Sequence, residues 1–460
     1  MKDETEVEGM GSFTILTILP AACWDFGNPR SNSFRLLSWC ARLTVSGPIK
    51  TDEGVLPLVA SIRTTCRSWR WSCGNDVGFL LARSGVDVFV LEKHADFLRD
   101  FRGDTVHPST LELIYEFGLL DDFLSRPHQK VQQITVNYSG QSFVLADFSH
   151  LKVKCPYIAL MPQWDFLDFL ADHGKTFPNF HLEMQAEATD LLMKDGHVIG
   201  VKVKTPKGIV EVHSDLVVAA DGRHSQLREK AGLKVQDFGV PIDVFWLRLS
   251  RRPTDISDSG GNFSPGNIIV MLNRQTYWQC AFVIPKGAAN KMKQQDVAVF
   301  RQKIAATAPF LSDRVHEIKS WDDVKLLTVK VDRLAEWARP GLLCIGDAAH
   351  AMSPIGGVGI NLAVQDAVAA ANTLIIPLKE NRVSLDDLRA VQKRRELPTC
   401  LTQRIQLAAQ NQIISNVLTH TKASAVPLPF WLIQHWRYLR RLTGYAIGIG
   451  IRPEHIVPLP

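Results

Sequence analysis

The alternation of apolar and polar positions divides the body of the chain into strands and helices. Val86-Asp87-Val88-Phe89-Val90-Leu91-Glu92 reads as a strand closing on an acid, and the stretch 78–85 before it reads as a helix. Leu216-Val217-Val218-Ala219-Ala220 and Leu342-Leu343-Cys344-Ile345 are continuous apolar runs of strand length, as expected for strands covered on both faces. Helical spacing predicts helices over 108–124, with Leu111, Leu113, Ile114, Leu119 and Leu120 inward, over 294–307 and 361–376, and over 384–414 with a bend at Pro398. Residues 132–148 and 243–285 read as strands, with Trp246, Trp278 and Phe282 as pocket or core aromatics. Turn signals at Asp195-Gly196 and 206–208 predict a β-meander over 187–212.

Chemistry gathers at the ends of the buried runs. After Leu342–Ile345 come Gly346-Asp347-Ala348-Ala349-His350, Pro354, and Gly356-Gly357-Val358-Gly359-Ile360-Asn361. An Asp at a strand end accepts from a ligand hydroxyl. Glycines remove Cβ atoms where backbone must approach a flat ligand, and the helix opening near Gly359 offers free N–H groups and a positive dipole end. Sugar hydroxyl, flat ring and delocalised negative charge together describe a flavin. After Leu216–Ala220 comes Asp221-Gly222-Arg223-His224-Ser225, then Arg228. Its Arg offers a bidentate fork and its Asp an acceptor, a pair suited to a pyrophosphate region. Glu92 stands where a dinucleotide-binding unit has its ribose acceptor. Taken singly, the last two motifs also suit a solvated turn and a solvated strand end.

In this order and spacing, the three motifs resemble those of the FAD-dependent aromatic hydroxylases, the group A flavoprotein monooxygenases of para-hydroxybenzoate and ubiquinone-biosynthesis type. The resemblance runs from about Gly78 to His455. It implies an α/β fold, with a Rossmann-like FAD-binding domain interleaved with a β-sheet substrate domain, plus C-terminal helices. The expected segments are an aberrant or disordered 1–76; FAD-binding parts at 77–130, 161–240 and 331–380; substrate-domain parts at 131–160 and 241–330; and a helical region at 381–460. It also implies site roles. Glu92 would hold the adenosine ribose, Arg102 would lie beside the phosphates and Gln163 would contact FAD. Asp221, Gly222 and Arg223 would serve FAD and incoming NADH or NADPH. Gly346 and Asp347 would bind the ribityl chain or pyrophosphate, and Gly357, Gly359, Ile360 and Asn361 would contact the isoalloxazine ring. Pro354 and the loop to Gly359 would shape the site of oxygen attack. The implied reaction consumes molecular oxygen and hydroxylates or epoxidises an aromatic, quinone-like or polyene small molecule. Flavin-dependent reductases and halogenases are rivals. A halogenase would carry Trp-x-Trp-x-Ile-Pro, whereas here Trp278 leads to Ile284-Pro285 at another spacing.

One part of the pattern is missing. A strand and Gly-x-Gly-x-x-Gly should open the dinucleotide-binding unit. Before Gly78 the chain instead reads Cys66-Arg67-Ser68-Trp69-Arg70-Trp71-Ser72-Cys73-Gly74-Asn75-Asp76-Val77. Tryptophan has a single codon, TGG. Shifting the frame forward by one base forces Gly across Trp69/Arg70 and across Trp71/Ser72, whichever Arg and Ser codons are used. The following shifted codons permit Pro, Ala, Gly and Met, and those of Cys66-Arg67-Ser68 permit three valines. The hidden frame can therefore spell Val-Val-Val-Gly-Gly-Gly-Pro-Ala-Gly-Met, and a compensating shift near Val77-Gly78 rejoins the visible frame. Glu92 follows residue 69 by 23 positions, close to the roughly 20 expected between fingerprint and ribose acid. Residues 1–76 also hold four of the eight cysteines and four of the eleven tryptophans, without a sustained helix or strand period. Two readings stay open: an out-of-frame segment, which would leave this polypeptide a defective relative, or a divergent extension.

Bulk properties narrow the class. With 46% hydrophobic and 22% charged residues the body is globular. The net charge of +5 suits anionic cofactors. No basic stripe with interleaved aromatics marks a nucleic-acid binder. The cysteines and histidines, among them His107, His224 and His350, have no metal-ligand spacing, and no paired cysteine framework appears. A cytoplasmic location is expected. The segment 430–445, with Trp431, Trp436, Tyr438 and Arg437, Arg440 and Arg441, is suited to peripheral contact with an anionic membrane or to packing on the body with its cations outward.

Overall fold

The computed structural model describes residues 49–51, 54–56, 64–68, 73–97, 105–138, 140–255, 259–414, 417–418 and 428–457. Its first layer is a six-stranded sheet in the order Phe180–Met184, Val88–Glu92, Thr64–Ser68, Leu216–Ala220, Leu342–Cys344, Ala338–Arg339. All neighbours are parallel except the last pair. Helix α1 (Cys73–Arg83) connects Thr64–Ser68 to Val88–Glu92, the crossover that a parallel pair requires. A glycine lets α1 approach the sheet, since a Cβ on Gly78 would stand 2.7 Å from Val90 Cγ2. Leu216–Ala220 is buried along its whole length, as its uninterrupted apolar run predicts.

Part of segment 1–76 lies among the described residues. Its described part contains a short hairpin, Ile49–Thr51 with Gly54–Leu56, then the strand Thr64–Ser68 in the middle of the sheet and the first turn of α1. Parallel pairing uses main-chain groups, which any side chain leaves available. The written residues of the strand therefore gave no sign of its position, and only the shifted frame of Cys66-Arg67-Ser68 pointed to it.

Helix α2 (Pro108–Glu116) and a short helix, Leu120–Ser125, replace the single helix expected over 108–124. Gly118, at φ +75°, separates them. The chain then enters a seven-stranded sheet, ordered Lys325–Leu327, Ile242–Ser250, Tyr277–Pro285, Asn267–Asn273, Gly260–Ser264, Gln133–Tyr138, Gln141–Asp147. Two strands join this sheet before helix α3 (Gln163–Gly174) and five after Leu216–Ala220, so the two sheets are interleaved along the chain. The predicted meander is present as Glu187–Lys194, His197–Thr205 and Gly208–His213. Trp278 and Phe282 lie in the core of the second sheet, and Trp278 Nε1 donates to Asp255 at 2.9 Å.

Helix α4 (Gly359–Lys379) is long and apolar enough to span a bilayer, yet 78% of that window is buried in the protein. Helix α5 (Leu385–Ala409) starts on a capping box of Ser384 and Asp387. The aromatic, basic segment near the C-terminus forms α6 (Leu428–His435) and α7 (Arg437–Gly448), broken at Trp436, whose backbone is extended.

Candidate functional site

Strand register brings the sequence motifs to one edge. Ser68 pairs with both Glu92 and Ala220, and Ala219 with Cys344. Glu92, Asp221 and Gly346-Asp347 therefore leave neighbouring strands at their carboxyl ends, where open α/β sheets bind ligands. Residues 69–72, which follow the central strand in sequence, lie outside the described residues, as does Arg102.

Glu92 is buried, and its carboxylate accepts from the His94 N–H at 3.0 Å. Asp221 accepts from the Leu227 N–H at 3.3 Å. Gly222 adopts φ +81°, which turns the chain so that Arg223 faces inward. Arg223 Nη2 donates to Asp347 at 3.2 Å, with both side chains buried. Burial pushes the Asp347 carboxyl above the usual range, against the pull of Arg223 and His350. Arg228 ties the two motifs together. Its Nη2 donates to the Arg223 carbonyl at 2.7 Å and its Nη1 to the Ala348 carbonyl at 3.2 Å, while both nitrogens reach the buried Asp332.

The Gly346 turn is held from below by a buried charge network. Gly346, at φ +57°, donates its N–H to Asp366 at 3.0 Å, and His350 Nε2 contacts the same carboxylate oxygen at 2.5 Å. Arg395 Nε donates to the other oxygen at 3.0 Å and its Nη1 reaches Glu454 at 3.5 Å. Burial alone would raise the Asp366 carboxyl, but His350 and Arg395 outweigh it and hold the group below the usual carboxylate range. Sequence reasoning missed Asp366, Arg395 and Asp332. One signal was available: Asp366 is the lone charge between Gly359 and Leu378 in an otherwise apolar helix, and a buried acid requires a partner.

The loop after Pro354 makes a short 3-10 turn, with Gly356 at φ +77° and Gly357 at φ +64°. A Cβ on Gly357 would stand 2.4 Å from Thr105 Oγ1, so only glycine fits. Gly359 opens α4 and Ile360 is buried behind it. Among the described residues no side chain caps α4, and the first-turn N–H groups have no intrahelical acceptor. Asn361 joins this loop to residues 105–110. It accepts from the His107 N–H at 2.9 Å and the Thr110 hydroxyl at 2.7 Å, and donates to the Thr105 and Gly357 carbonyls at 3.3 Å each. His107, which the sequence also did not single out for the site, is fully buried and its pKa is lowered to about 4 by burial. Its Nδ1 contacts the Ile447 carbonyl at 2.7 Å, linking the loop to the end of α7. Gln163 is the buried first residue of α3.

These described residues fit a flavin dinucleotide. Acceptors stand at strand ends for sugar hydroxyls, a glycine occupies a position where a Cβ would clash, and a helix N-terminus is open for negative charge.

Known proteins give the same picture. Residues 72–404 match the FAD binding domain family. The chain is 30% identical over 347 residues to 6-methylpretetramide 4-monooxygenase of Streptomyces rimosus, covering 74% of this chain and 82% of the relative. It is 24% identical over 322 residues to para-nitrophenol 4-monooxygenase of Pseudomonas sp. strain WBC-3, covering 66% and 77%. Among solved structures, the anhydrotetracycline hydroxylase OxyS of Streptomyces rimosus superposes with a TM-score of 0.68 at 20% identity, over 85% of this chain and 77% of that one. The probable FAD-dependent monooxygenase pqsL of Pseudomonas aeruginosa gives 0.66 at 17%, over 82% and 100%.

Proposed function

The chain belongs to the FAD-binding family of flavoprotein monooxygenases, the class A aromatic hydroxylases, and from that premise we propose which residues hold the cofactor and what the enzyme acts on. One oxygen atom of O2 enters a phenolic or polycyclic aromatic ring and the other leaves as water, with two electrons supplied by NADH or NADPH. The aromatic substrates named for the relatives, 6-methylpretetramide and para-nitrophenol, support this class. Bound FAD would supply the electron transfer and the activation of oxygen.

The protein's own residues bind, orient and exclude water. In this reading Glu92 accepts from the adenosine ribose, while Arg102 and Gln163 contact the dinucleotide. Asp221, Gly222 and Arg223 would hold the pyrophosphate region, and Arg223, bonded to Asp347, would orient that side chain toward the ribityl hydroxyls. Pro354 to Asn361 lie against the ring, with the N–H groups of Gly359 to Asn361 directed at its negative charge. The observation that carries the assignment is the convergence of Glu92, Asp221 and Asp347 on the carboxyl edge of adjacent parallel strands.

A second reading concerns this polypeptide alone. Trp69-Arg70-Trp71 stands in the sequence where the dinucleotide fingerprint belongs, and the family match begins only at residue 72. Residue 69, where the shifted frame forces its first glycine, directly follows the end of the strand Thr64–Ser68. Both observations support a frame disruption upstream of Val77.

The test purifies a frame-corrected chain and follows oxidation of NADH and NADPH with a panel of phenols and polycyclic aromatics under 18O2. Substrate-stimulated oxidation with one labelled oxygen in the product is expected. A flavin-loaded protein that oxidises neither nicotinamide with any aromatic, or that yields unlabelled product, would overturn the assignment. Sequencing codons 60 to 78 tests the frame separately.

A further inference from the structure

Helices α6 and α7 carry a chemistry that the flavin site does not use. Residues 397–453 hold six Lys/Arg and no Asp or Glu. The whole chain has 52 Lys/Arg and 47 Asp/Glu, so the remaining residues have 46 against 47. The entire positive excess therefore belongs to this segment.

α7 lies on the body through its small residues. A Cβ on Gly444 would stand 2.0 Å from the Asp147 carbonyl oxygen, and one on Gly448 3.0 Å from Phe148 and Leu151. The opposite face is apolar and exposed. Tyr438, Leu442 and Tyr445, spaced four and three residues apart, are 82%, 62% and 49% exposed, and this spacing aligns them along one stripe. Trp436 at the start of α7 and Trp431 on α6 are also exposed. Arg437, Arg440 and Arg441 lie on the same helix, Arg437 exposed and the other two half-buried. A helix of a water-soluble surface normally turns its apolar stripe inward; here Gly444, Gly448 and Ile447 face the body while a second apolar stripe, largely aromatic, faces outward.

We propose that the outer face of α6 and α7 docks on the surface of an anionic lipid bilayer. Tyrosine and tryptophan settle at the headgroup level, where ring and hydroxyl or N–H are each satisfied. Leu442 reaches the acyl boundary, and the arginines pair with lipid phosphates. The acid-free segment argues for a negatively charged partner, and the linear exposed stripe argues for a flat, extended one.

Flotation of the full-length protein with vesicles tests this. Binding is expected to vesicles of equal parts phosphatidylcholine and phosphatidylglycerol, to be weak to phosphatidylcholine alone, and to fall with salt. Replacing Arg437, Arg440 and Arg441 by Gln should weaken partitioning on the order of a hundredfold, at about one cation's attraction each. Tyr438→Ser with Leu442→Ser should also release the protein. Because these five side chains lie outside the core, unchanged melting curves certify the fold. No binding to anionic vesicles at low salt, or binding unchanged in both variants, would overturn the proposal. So would a dimer in light scattering that Tyr438→Ser and Leu442→Ser dissolve, since the stripe would then cover a second copy of the chain.

Discussion

Two strand–turn–helix units flank Leu216–Ala220 in the nucleotide sheet, and they differ in how far sequence and position agree. In one, Leu342–Cys344 is wholly buried, and the turn after it carries Gly346 at positive φ, with Asp347 paired to Arg223 and a buried carboxylate holding the turn from behind. In the other, Thr64–Ser68 takes the central position between two parallel neighbours, yet it reads Thr-Thr-Cys-Arg-Ser where such strands are rich in Val, Ile and Leu. The turn that follows has two tryptophans and an arginine in the stretch where the family has glycines. Agreement returns at Val77 and Gly78, which pack α1 on the sheet. Main-chain pairing establishes topology without regard to side chains, whereas a cofactor site depends on them. The N-terminal unit has the topology of a dinucleotide-binding unit without its chemistry.

The largest expected effect follows directly. The chain as written should purify with little FAD, and the frame-corrected chain should purify yellow. A glycine turn supplies several backbone N–H donors to two adjacent phosphates. At about 1.5–3 kcal/mol for each bond to a charged group, losing three amounts to roughly 5 kcal/mol or more, over a thousandfold in affinity. Glu92, Asp221 and Asp347 offer carboxylate acceptors and cannot replace those donors. Equal, near-stoichiometric FAD by absorbance in both proteins would mean that the written N-terminus is a working substitute and would break the contrast between the two units.

A smaller effect tests the unit whose chemistry is intact. In the frame-corrected protein, Asp347→Ala should lower FAD affinity by about 1.5–3 kcal/mol, ten- to over a hundredfold. Flavin content equal to that of the parent would show that the Gly346-Asp347 turn is not a cofactor contact.

Most of this site was legible because its signals are local. An acid or glycine directly after a buried apolar run can be read without knowing what lies beside it, and Glu92, Asp221 and Gly346-Asp347 were found that way. The residues that were missed act across long separations: Asp366 under Gly346, Arg395 under Asp366, and His107 between Asn361 and the end of α7. Nothing in their immediate neighbours announces a partner, although a lone acid in the apolar α4 demanded one. The strand Thr64–Ser68 was legible only through the shifted frame, whose codons for Cys66-Arg67-Ser68 permit three valines, since its written residues lack the apolar run of a buried strand.

The smallest effect lies inside the protein, at the end of the mismatched stretch. Asn75 in α1 is fully buried, and neither polar atom of its amide has a hydrogen-bond partner among the described residues. A buried orphan amide costs about 1–3 kcal/mol. The shifted frame permits Met at this position, a flexible apolar side chain that adapts to irregular space. Asn75→Met in the chain as written should therefore stabilise it by about 1 kcal/mol, the relief being partly offset by the larger volume. Asn179 is the control. Its amide donates to the Ala82 carbonyl at 2.8 Å and the Val86 carbonyl at 2.6 Å, at the other end of the same helix. Asn179→Met should destabilise by roughly 1–3 kcal/mol, because it removes both of these hydrogen bonds. Denaturant titrations of the two variants should thus move in opposite directions from the parent. If Asn75→Met loses as much stability as Asn179→Met, the amide at 75 belongs where it is. The reading of α1's first turn as displaced sequence then fails at the residue where the structure supports it most directly.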